Sequence, residues 1–392
     1  MGNALISRRG GGYSTVKFEN YGNNLTLSKS YAPDLSYARS RMGATTVGDY
    51  ALFAGGNITN SSTFYSTVDT YTSSLTKSTA TSLSRARSEL AATTVAGWAL
   101  FGGGYTSGPT YHSTVDVYNN VLTRTTASAL SQARSELAAT TVGDYALFGG
   151  GINYSNVDAY NSSLTRSTPT SLSMSGDGIG ATTVGNYAIF AKSSATNAYN
   201  GSLVKITPAS LSQARSNLAA TTVGDYALFA GGYDFSVTFY STVDVYTNNL
   251  VLNTATSLSV AKEYIAATTV AGWALFGGGY SSGPTYHSTV EVYNNVLTRT
   301  TASSLPYSMF DVNATTVGDY ALFGGGVPKN SSEDSSYVTA YKRPSTTLYV
   351  YKDSKYKFQN MDSEQTYSST MGTISIPCPA TGYIKFKNTT IS

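Results

Sequence analysis

The residue types that carry out covalent catalysis are scarce in this chain, and those present lie far apart. Its 392 residues include two histidines, His112 and His287, and one cysteine, Cys378. Nucleophilic catalysis needs a nucleophile with a base within hydrogen-bond reach. The histidines occupy equivalent places in two nearly identical segments, 92–130 and 267–305, so we interpret them as a duplicated loop-packing feature. We therefore predict a non-enzymatic protein without catalytic residues, metal or other cofactor.

Acidic residues recur at one place per repeat of the chain. A glycosidase would need two carboxylates a few ångströms apart, whereas these are spread one per blade. We predict a structural role for this set, which comprises Asp69, Asp116, Asp158, Asp244 and Glu291.

All these residues belong to a unit that is repeated along the chain. The tetrapeptide Ala-Thr-Thr-Val begins at Ala44, Ala92, Ala139, Ala181, Ala220, Ala267 and Ala314. Each copy leads into a two-residue turn and an apolar run such as Tyr145–Phe148, and glycines then end that second strand. Two further alternating segments complete the unit. Four short antiparallel strands in about 40–50 residues is the size of one propeller blade, and we predict an all-β chain.

The pattern resembles the kelch family of β-propellers, in which an apolar strand ends in a double glycine and a tyrosine closes the third strand. The tyrosines are Tyr71, Tyr118, Tyr160, Tyr199, Tyr246, Tyr293 and Tyr341. The fourth unit has Ala191-Lys192 where the glycines belong, and the family's tryptophan is absent. The resemblance implies a propeller over about residues 13–345, with blades starting near 38, 86, 133, 174, 214, 261 and 308. Six blades are the alternative, if the fourth unit is not a blade.

The two ends of the chain fall outside this period. Residues 13–37 echo the third and fourth strands of a blade, so we predict that they close the ring as the outer strand of the last blade. Residues 346–392 alternate like strands and predict a small β appendage for docking or oligomerisation. Residues 1–12 are a glycine-rich leader that could also dock, and they match neither a secretory signal nor a membrane span.

Variable loops between the second and third strands share one face of the predicted ring, and we call it the loop face. Variable aromatic loops on a rigid scaffold are where binding is expected. Tyrosine suits this role because it offers an apolar face and a hydroxyl; the alternative is that these side chains pack against neighbouring loops. The candidate rim residues are Tyr105, Tyr111, Tyr154, Tyr233, Phe235, Tyr240, Tyr280 and Tyr286.

The segment before each first strand lies on the same face and carries charge. In the second and third blades it reads Ala-Arg-Ser-Glu-Leu, and residues two apart on an extended chain point to the same side. We predict a charged collar at the channel mouth, with the alternative that each arginine ties adjacent blades through backbone carbonyls. The collar comprises Arg39, Arg87, Glu89, Arg134, Glu136, Arg215 and Lys262.

Composition restricts the class of partner. Only 12% of residues are charged, the net charge is +3, and 32 residues are tyrosine. No basic stripe suggests nucleic acid, and no apolar run suggests membrane insertion. A Tyr/Ser/Thr/Gly-rich chain that lacks an export signal loosely resembles bacteriophage tail-associated proteins, which are made in the host cytoplasm and assembled into the virion.

Three functions remain open at this point. The first is a virion module that binds a host-surface receptor, a glycan or a protein, through the rim. The second is a structural decoration or adaptor that joins other tail proteins through the appendage or leader, with a homo-oligomer as one of the open oligomeric states. The third is a bacterial kelch module that binds another protein.

Overall fold

The chain is all-β and its main body is a seven-bladed propeller. A computed structural model describes residues 27–342 apart from 109, 235 and 330–332, and six strands outside that range. The described residues contain no helix, and therefore none long and apolar enough to cross a membrane. The chain forms two compact units, one of residues 29–342 and one of residues 1–28 with 343–392.

The first strands of the seven blades are the Ala-Thr-Thr-Val copies. Their bounds are Gly43–Val47, Ala91–Val95, Ala138–Val142, Gly180–Val184, Ala219–Val223, Ala266–Val270 and Asn313–Val317. Threonine hydroxyls join neighbouring first strands: Thr183 and Thr140 lie 2.7 Å apart, and Thr183 also donates to the carbonyl of Thr141. Small alanines and paired threonines therefore let these strands approach closely around the axis, which is why this tetrapeptide repeats.

The second strands are buried almost throughout and end at the glycines. Their bounds are Tyr50–Ala54, Trp98–Gly102, Tyr145–Gly149, Tyr187–Lys192, Tyr226–Ala230, Trp273–Gly277 and Tyr320–Gly324. The backbone beyond them passes close to the next blade. Gly55 has φ of +71°, and a Cβ there would lie 2.6 Å from the carbonyl oxygen of Arg87. Only glycine tolerates both the conformation and the approach.

The third strands carry the repeated tyrosines. Their bounds are Val68–Thr72, Val115–Asn119, Val157–Tyr160, Ala195–Asn200, Val243–Thr247, Val290–Asn294 and Val338–Lys342. Each of the seven rings meets a second-strand phenylalanine edge to face, and each hydroxyl donates to a backbone carbonyl of the segment that joins the preceding blade. Tyr160, for example, packs on Phe148 at 5.9 Å and donates to Ser128 over 2.8 Å.

The fourth strands are short and more exposed. In blades one to six they are Lys77–Ala80, Arg124–Thr126, Arg166–Ser167, Lys205–Ile206, Leu252–Ala255 and Arg299–Ala302. In blade seven the outer strand is Ser28–Ala32, which precedes all the other propeller strands in the chain and lies beside Val338–Lys342. This confirms the prediction that an N-terminal strand closes the ring.

Blade four is a complete four-stranded blade, so the six-blade alternative is wrong. Its second and third strands are joined directly by a tight hairpin in which Lys192 pairs with Ala195. Gly176 stands where blades one, two, three and five have the buried arginine, and a Cβ on it would lie 2.6 Å from Nζ of Lys192. The lysine side chain therefore occupies the space that the missing arginine leaves.

The other unit consists of strands from both ends of the chain. Ser14–Val16, Ile384–Thr389, Lys355–Asn360 and Ser363–Ser368 form one sheet in that order, and Ser345–Val350 pairs with Gly372–Pro377. We expected Tyr13–Val16 to echo a blade strand, but Ser14–Val16 pairs with residues 384–386 instead. The expected limits of the propeller, 13 and 345, compare with 29 and 342. The leader 1–12 and Cys378 lie outside the described residues.

Candidate functional site at the channel mouth and rim

The basic residues of the predicted collar are buried within the blades. Arg134 donates to the carboxylate of Asp158 over 2.8 Å and to the carbonyl of Phe148 over 3.2 Å, and neither side chain of the ion pair is exposed. Equivalent pairs are Arg39–Asp69, Arg87–Asp116, Arg215–Asp244 and Lys262–Glu291. These five cations therefore cannot meet a ligand at the mouth. Their side chains bind an acid and carbonyls of their own blade, which differs from the alternative that each arginine ties adjacent blades through backbone carbonyls.

Two residues after each of these cations, the chain reaches the channel mouth. One residue per blade has a positive φ there, and we call this set the mouth ring: Arg41, Glu89, Glu136, Gly178, Asn217, Tyr264 and Asp311. Its backbone is linked from blade to blade, since the amide of Glu136 donates to the carbonyl of Glu89 over 3.0 Å. The collar residues Glu89 and Glu136 thus belong to the mouth ring, and the five predicted cations do not.

The mouth ring carries ionisable side chains in blades seven, one, two and three. Arg41 bridges two acids, with Nη1 at 3.2 Å from Glu89 and Nε at 3.0 Å from Asp311. Glu89 also accepts a hydrogen bond from Ser135 over 3.1 Å. Desolvation first, and then the charge of Glu89, raise the pKa of Glu136 to about 8. Glu136 is therefore held protonated at neutral pH and can share its proton with Glu89.

The side of blades five to seven is aromatic. Tyr280 lies 5.9 Å from Phe239 and 5.9 Å from Phe310, while Tyr286 meets Phe310 at 5.0 Å. Tyr233 contacts Phe239, and Tyr264 of the mouth ring contacts Phe310. We call these six side chains the aromatic cluster. Tyr264 is 42% exposed and the other five are half-buried, so the cluster offers ring surface to solvent.

Carboxylates border the aromatic cluster. Asp311 follows Phe310 in the chain, and Glu263 precedes Tyr264. Glu263 accepts a hydrogen bond from Nδ2 of Asn217 over 2.8 Å, and burial raises its pKa. Ring faces next to hydrogen-bonding carboxyl groups can bind a ligand that has both C–H and O–H surfaces.

The remaining rim residues lie apart from the aromatic cluster. Tyr105 meets Phe64 edge to face at 5.4 Å, and Tyr111 is 38% exposed. Tyr154 is half-buried in the short loop of blade three, and Tyr240 donates to Asp234 over 2.9 Å. Phe235 lies outside the described residues. The rim candidates Tyr233, Tyr280 and Tyr286 are thus the three that the structure brings together.

The histidines sit inside the small hairpins of blades two and six. Nε2 of His287 lies 2.9 Å from Oγ of Ser281, and Nε2 of His112 lies 3.3 Å from Oγ1 of Thr106. Desolvation lowers the pKa of both rings, as expected for loop packing. In the part of the chain that the structure describes, no three His, Cys, Asp or Glu side chains are grouped to hold a metal ion.

Sequence reasoning missed Phe239, Tyr264 and Phe310. Phe310 occupies the place that is Ser135 in blade three, and Tyr264 the place that is Glu89 in blade two. Comparing the repeats position by position would have marked both as departures from Ala-Arg-Ser-Glu-Leu.

Comparisons with known proteins bear on the fold alone. No protein-family model matches the chain, and no curated protein sequence matches it. The solved structure of YjhT, a β-propeller, matches with a TM-score of 0.52 at 10% identity, covering 86% of this chain and 100% of that chain. The seven-bladed propeller is compatible with a recognition or interaction module.

Proposed function

We propose that this protein is a non-enzymatic recognition module that binds a host-surface glycan through the loop face of its propeller. The aromatic cluster carries this proposal. Six rings from three consecutive blades converge beside carboxyl groups, on the face where the loops vary most. Sugar rings present C–H faces that stack on aromatic rings and hydroxyls that donate to carboxylates, so this surface suits a saccharide.

The proposed setting is a phage virion, with the propeller as a kelch-like receptor-binding part of the tail. Support comes from composition: few charges, and many tyrosines, serines and threonines.

A second candidate function is a structural adaptor of the particle. The observation that favours it is the separate compact unit built from residues 1–28 and 343–392. Such a unit could dock onto other tail proteins while the propeller serves as decoration. Deleting residues 346–392 and following incorporation into particles tests this role.

Binding of the purified full-length protein to a glycan array and to host cell-wall fractions tests the proposed function. We expect a restricted set of related glycans to bind, with retention on cell walls that display them. An array without bound glycans, together with stable incorporation into particles, would overturn glycan recognition and favour the adaptor.

A further inference from the structure

Two exposed tyrosines of blade seven form a pair outside the aromatic cluster. The ring centroids of Tyr307 and Tyr337 lie 5.3 Å apart, with the planes at 45°. The two side chains are 47% and 41% exposed, so neither ring covers the other. Tyr307 lies in the segment before the first strand, and Tyr337 directly precedes the third strand Val338–Lys342. This pair, which we call the outer tyrosine pair, therefore presents ring surface on the loop face.

The outer tyrosine pair is a departure of blade seven from the repeat. In blade five the same two places hold Gln213 and Thr242, whose side chains are hydrogen-bonded over 2.8 Å. Blade three also has glutamine at the first place, Gln132. A blade therefore closes equally well with a polar contact here, and the propeller does not require the two rings.

The backbone holds both tyrosines in place. The amides of Leu305 and Met309, on either side of Tyr307, donate to carbonyls of blade six over 2.8 and 3.0 Å. The carbonyl of Ser336, next to Tyr337, accepts from the amide of Leu35 over 2.8 Å. Groups that are fixed before binding lose less conformational entropy when a ligand arrives. The outer tyrosine pair is thus preorganised.

The outer tyrosine pair extends the aromatic cluster away from the channel axis. Tyr307 and Phe310 are three residues apart, so their Cα atoms are separated by at most about 11 Å. Met309 between them is only 2% exposed, so its side chain does not rise between the two rings. The segment runs inward from Arg299–Ala302, the outer strand of blade six, to Asn313–Val317, the inner strand of blade seven. Aromatic surface therefore continues outward from Phe310 to Tyr307.

The exposed apolar side chains differ between the two faces of the propeller. Valines lie at the opposite face, in turns between third and fourth strands: Val121, Val204, Val251 and Val296. Among the described residues of the loop face, those exposed are tyrosines apart from Val237: Tyr37, Tyr111, Tyr264, Tyr307 and Tyr337. Tyrosine combines a ring face with a hydroxyl. The loop face therefore suits a ligand with C–H faces and hydroxyls along its length, as a saccharide chain has.

We propose that the ligand is a linear oligosaccharide of several sugar units, which lies on the aromatic cluster and continues over the outer tyrosine pair. This inference rests on the proposed function, since it names the size of the glycan and adds a second place of contact. Each further unit that reaches Tyr307 or Tyr337 gains a stacking contact. Affinity must therefore rise with the length of the saccharide.

The test is an array that carries di-, tetra- and hexasaccharides of the same homologous series, probed with the full-length protein and with the double variant Tyr307→Gln with Tyr337→Thr. The double variant copies the pair of blade five, so its thermal unfolding should match that of the parent protein. We expect the parent to bind the hexasaccharide of its preferred series about ten-fold more tightly than the disaccharide. The double variant should bind all lengths as weakly as the parent binds the disaccharide.

Tyr37→Gln is the matched control. Tyr37 occupies in blade one the place of Tyr307, is 50% exposed and stacks on Tyr65 at 4.7 Å, but Ser40 stands there at the place of Phe310. Affinity should not change. Equal affinity of the parent for all lengths would overturn the proposal, as would a double variant that keeps the dependence on length. A loss in Tyr37→Gln as large as in the double variant would overturn it too, because continuity with the aromatic cluster would then not matter.

Phe310→Ser separates this proposal from the proposed function. If binding is lost in Phe310→Ser but depends neither on length nor on the double variant, the outer tyrosine pair fails and the aromatic cluster stands. If binding responds to the double variant but not to Phe310→Ser, the aromatic cluster fails and the outer tyrosine pair remains a binding site. An array without bound saccharides overturns both.

Discussion

Tyr286 of blade six meets Phe310 of blade seven edge to face, with ring centroids 5.0 Å apart and planes at 83°. The equivalent tyrosine of blade two, Tyr111, faces a blade that carries Ser135 at the place of Phe310 and is 38% exposed. Residues 92–130 and 267–305 are nearly identical, so the surfaces of blades two and six differ because of the neighbouring blades and because Tyr264 replaces Glu89. One side of the mouth becomes aromatic, and the other carries Arg41, Glu89 and Glu136.

Replacing Phe310 by serine gives blade seven the residue of blade three and removes the ring that three tyrosines contact. We expect retention on host cell walls to fall about ten-fold, since aromatic contacts of this kind contribute about 0.5–1.5 kcal/mol beyond burial. A pull-down with labelled protein measures it. Retention equal to that of the parent protein would remove the aromatic cluster from the binding surface.

The buried ion pairs predict that the free energy of unfolding depends strongly on both partners of each pair. Arg134→Met leaves Asp158 buried without its main partner, which costs about 3–5 kcal/mol. Urea unfolding followed by circular dichroism measures the loss. A small loss, below about 1 kcal/mol, would mean that the pair contributes little.

Blade seven offers the matched control, since it has Met309 and Thr339 where blade three has Arg134 and Asp158. The double variant Arg134→Met with Asp158→Thr copies that natural combination. It should recover most of the stability, because neither charge is then left buried alone. A double variant no more stable than Arg134→Met would contradict this explanation.

Glu136 predicts a stability that declines as pH rises. Its unfolded pKa is near 4.5 and its folded pKa is about 8, so the folded state binds more protons between these values. The contribution of protonated Glu136 to the free energy of unfolding is therefore fully present below pH 4.5, and it is lost as the pH rises to about 8. Glu136→Gln cannot ionise, and its melting temperature at about pH 8 should exceed that of the parent by on the order of 2 °C, with little difference at about pH 5.

Asp144→Asn is the control for this titration, because Asp144 lies exposed in the hairpin turn of the same blade. This substitution removes an exposed acid and leaves Glu136 in place, so the dependence of its melting temperature on pH should match that of the parent protein. Parallel melting profiles for the parent protein and Glu136→Gln would show that Glu136 titrates normally.

The closing strand predicts a sharp limit to N-terminal truncation. Deleting residues 1–26 keeps Ser28–Ala32 and the buried Leu27, and should leave the propeller's melting transition unchanged. Deleting residues 1–33 uncovers the edge Val338–Lys342, and an open edge invites pairing with another chain. Lower thermal stability and association on size-exclusion chromatography are expected; a stable monomer would contradict the closure.

Much of the scaffold could be predicted from the sequence because it is periodic. The repeat determines the inner strands and the number of blades. The tyrosine at the end of each third strand recurs because its hydroxyl donates to the equivalent backbone carbonyl in every blade. Blade four was ambiguous since its lysine replaces a glycine, and only the packing of Lys192 over Gly176 explains the exchange.

The candidate site was less predictable, because it depends on contacts between blades. Spacing placed Arg134 on the mouth side, but its side chain turns inward to Asp158, a partner 24 residues away. The prediction that Arg134 and Glu136 point to the same side assumed an extended chain. Glu136 has φ of +53°, so this segment is not an extended strand. Tyr286 was predicted as a rim residue, whereas its partner Phe310 belongs to the next repeat.

The most direct test of glycan recognition compares Tyr286→Ala with Tyr111→Ala by calorimetric titration of the best glycan from the array. The two tyrosines lie in nearly the same local sequence, and Tyr286 is the one that contacts Phe310. We predict affinity about ten-fold weaker for Tyr286→Ala, or ~1.4 kcal/mol, and unchanged affinity for Tyr111→Ala. Equal affinities in the two variants and the parent protein would contradict the account.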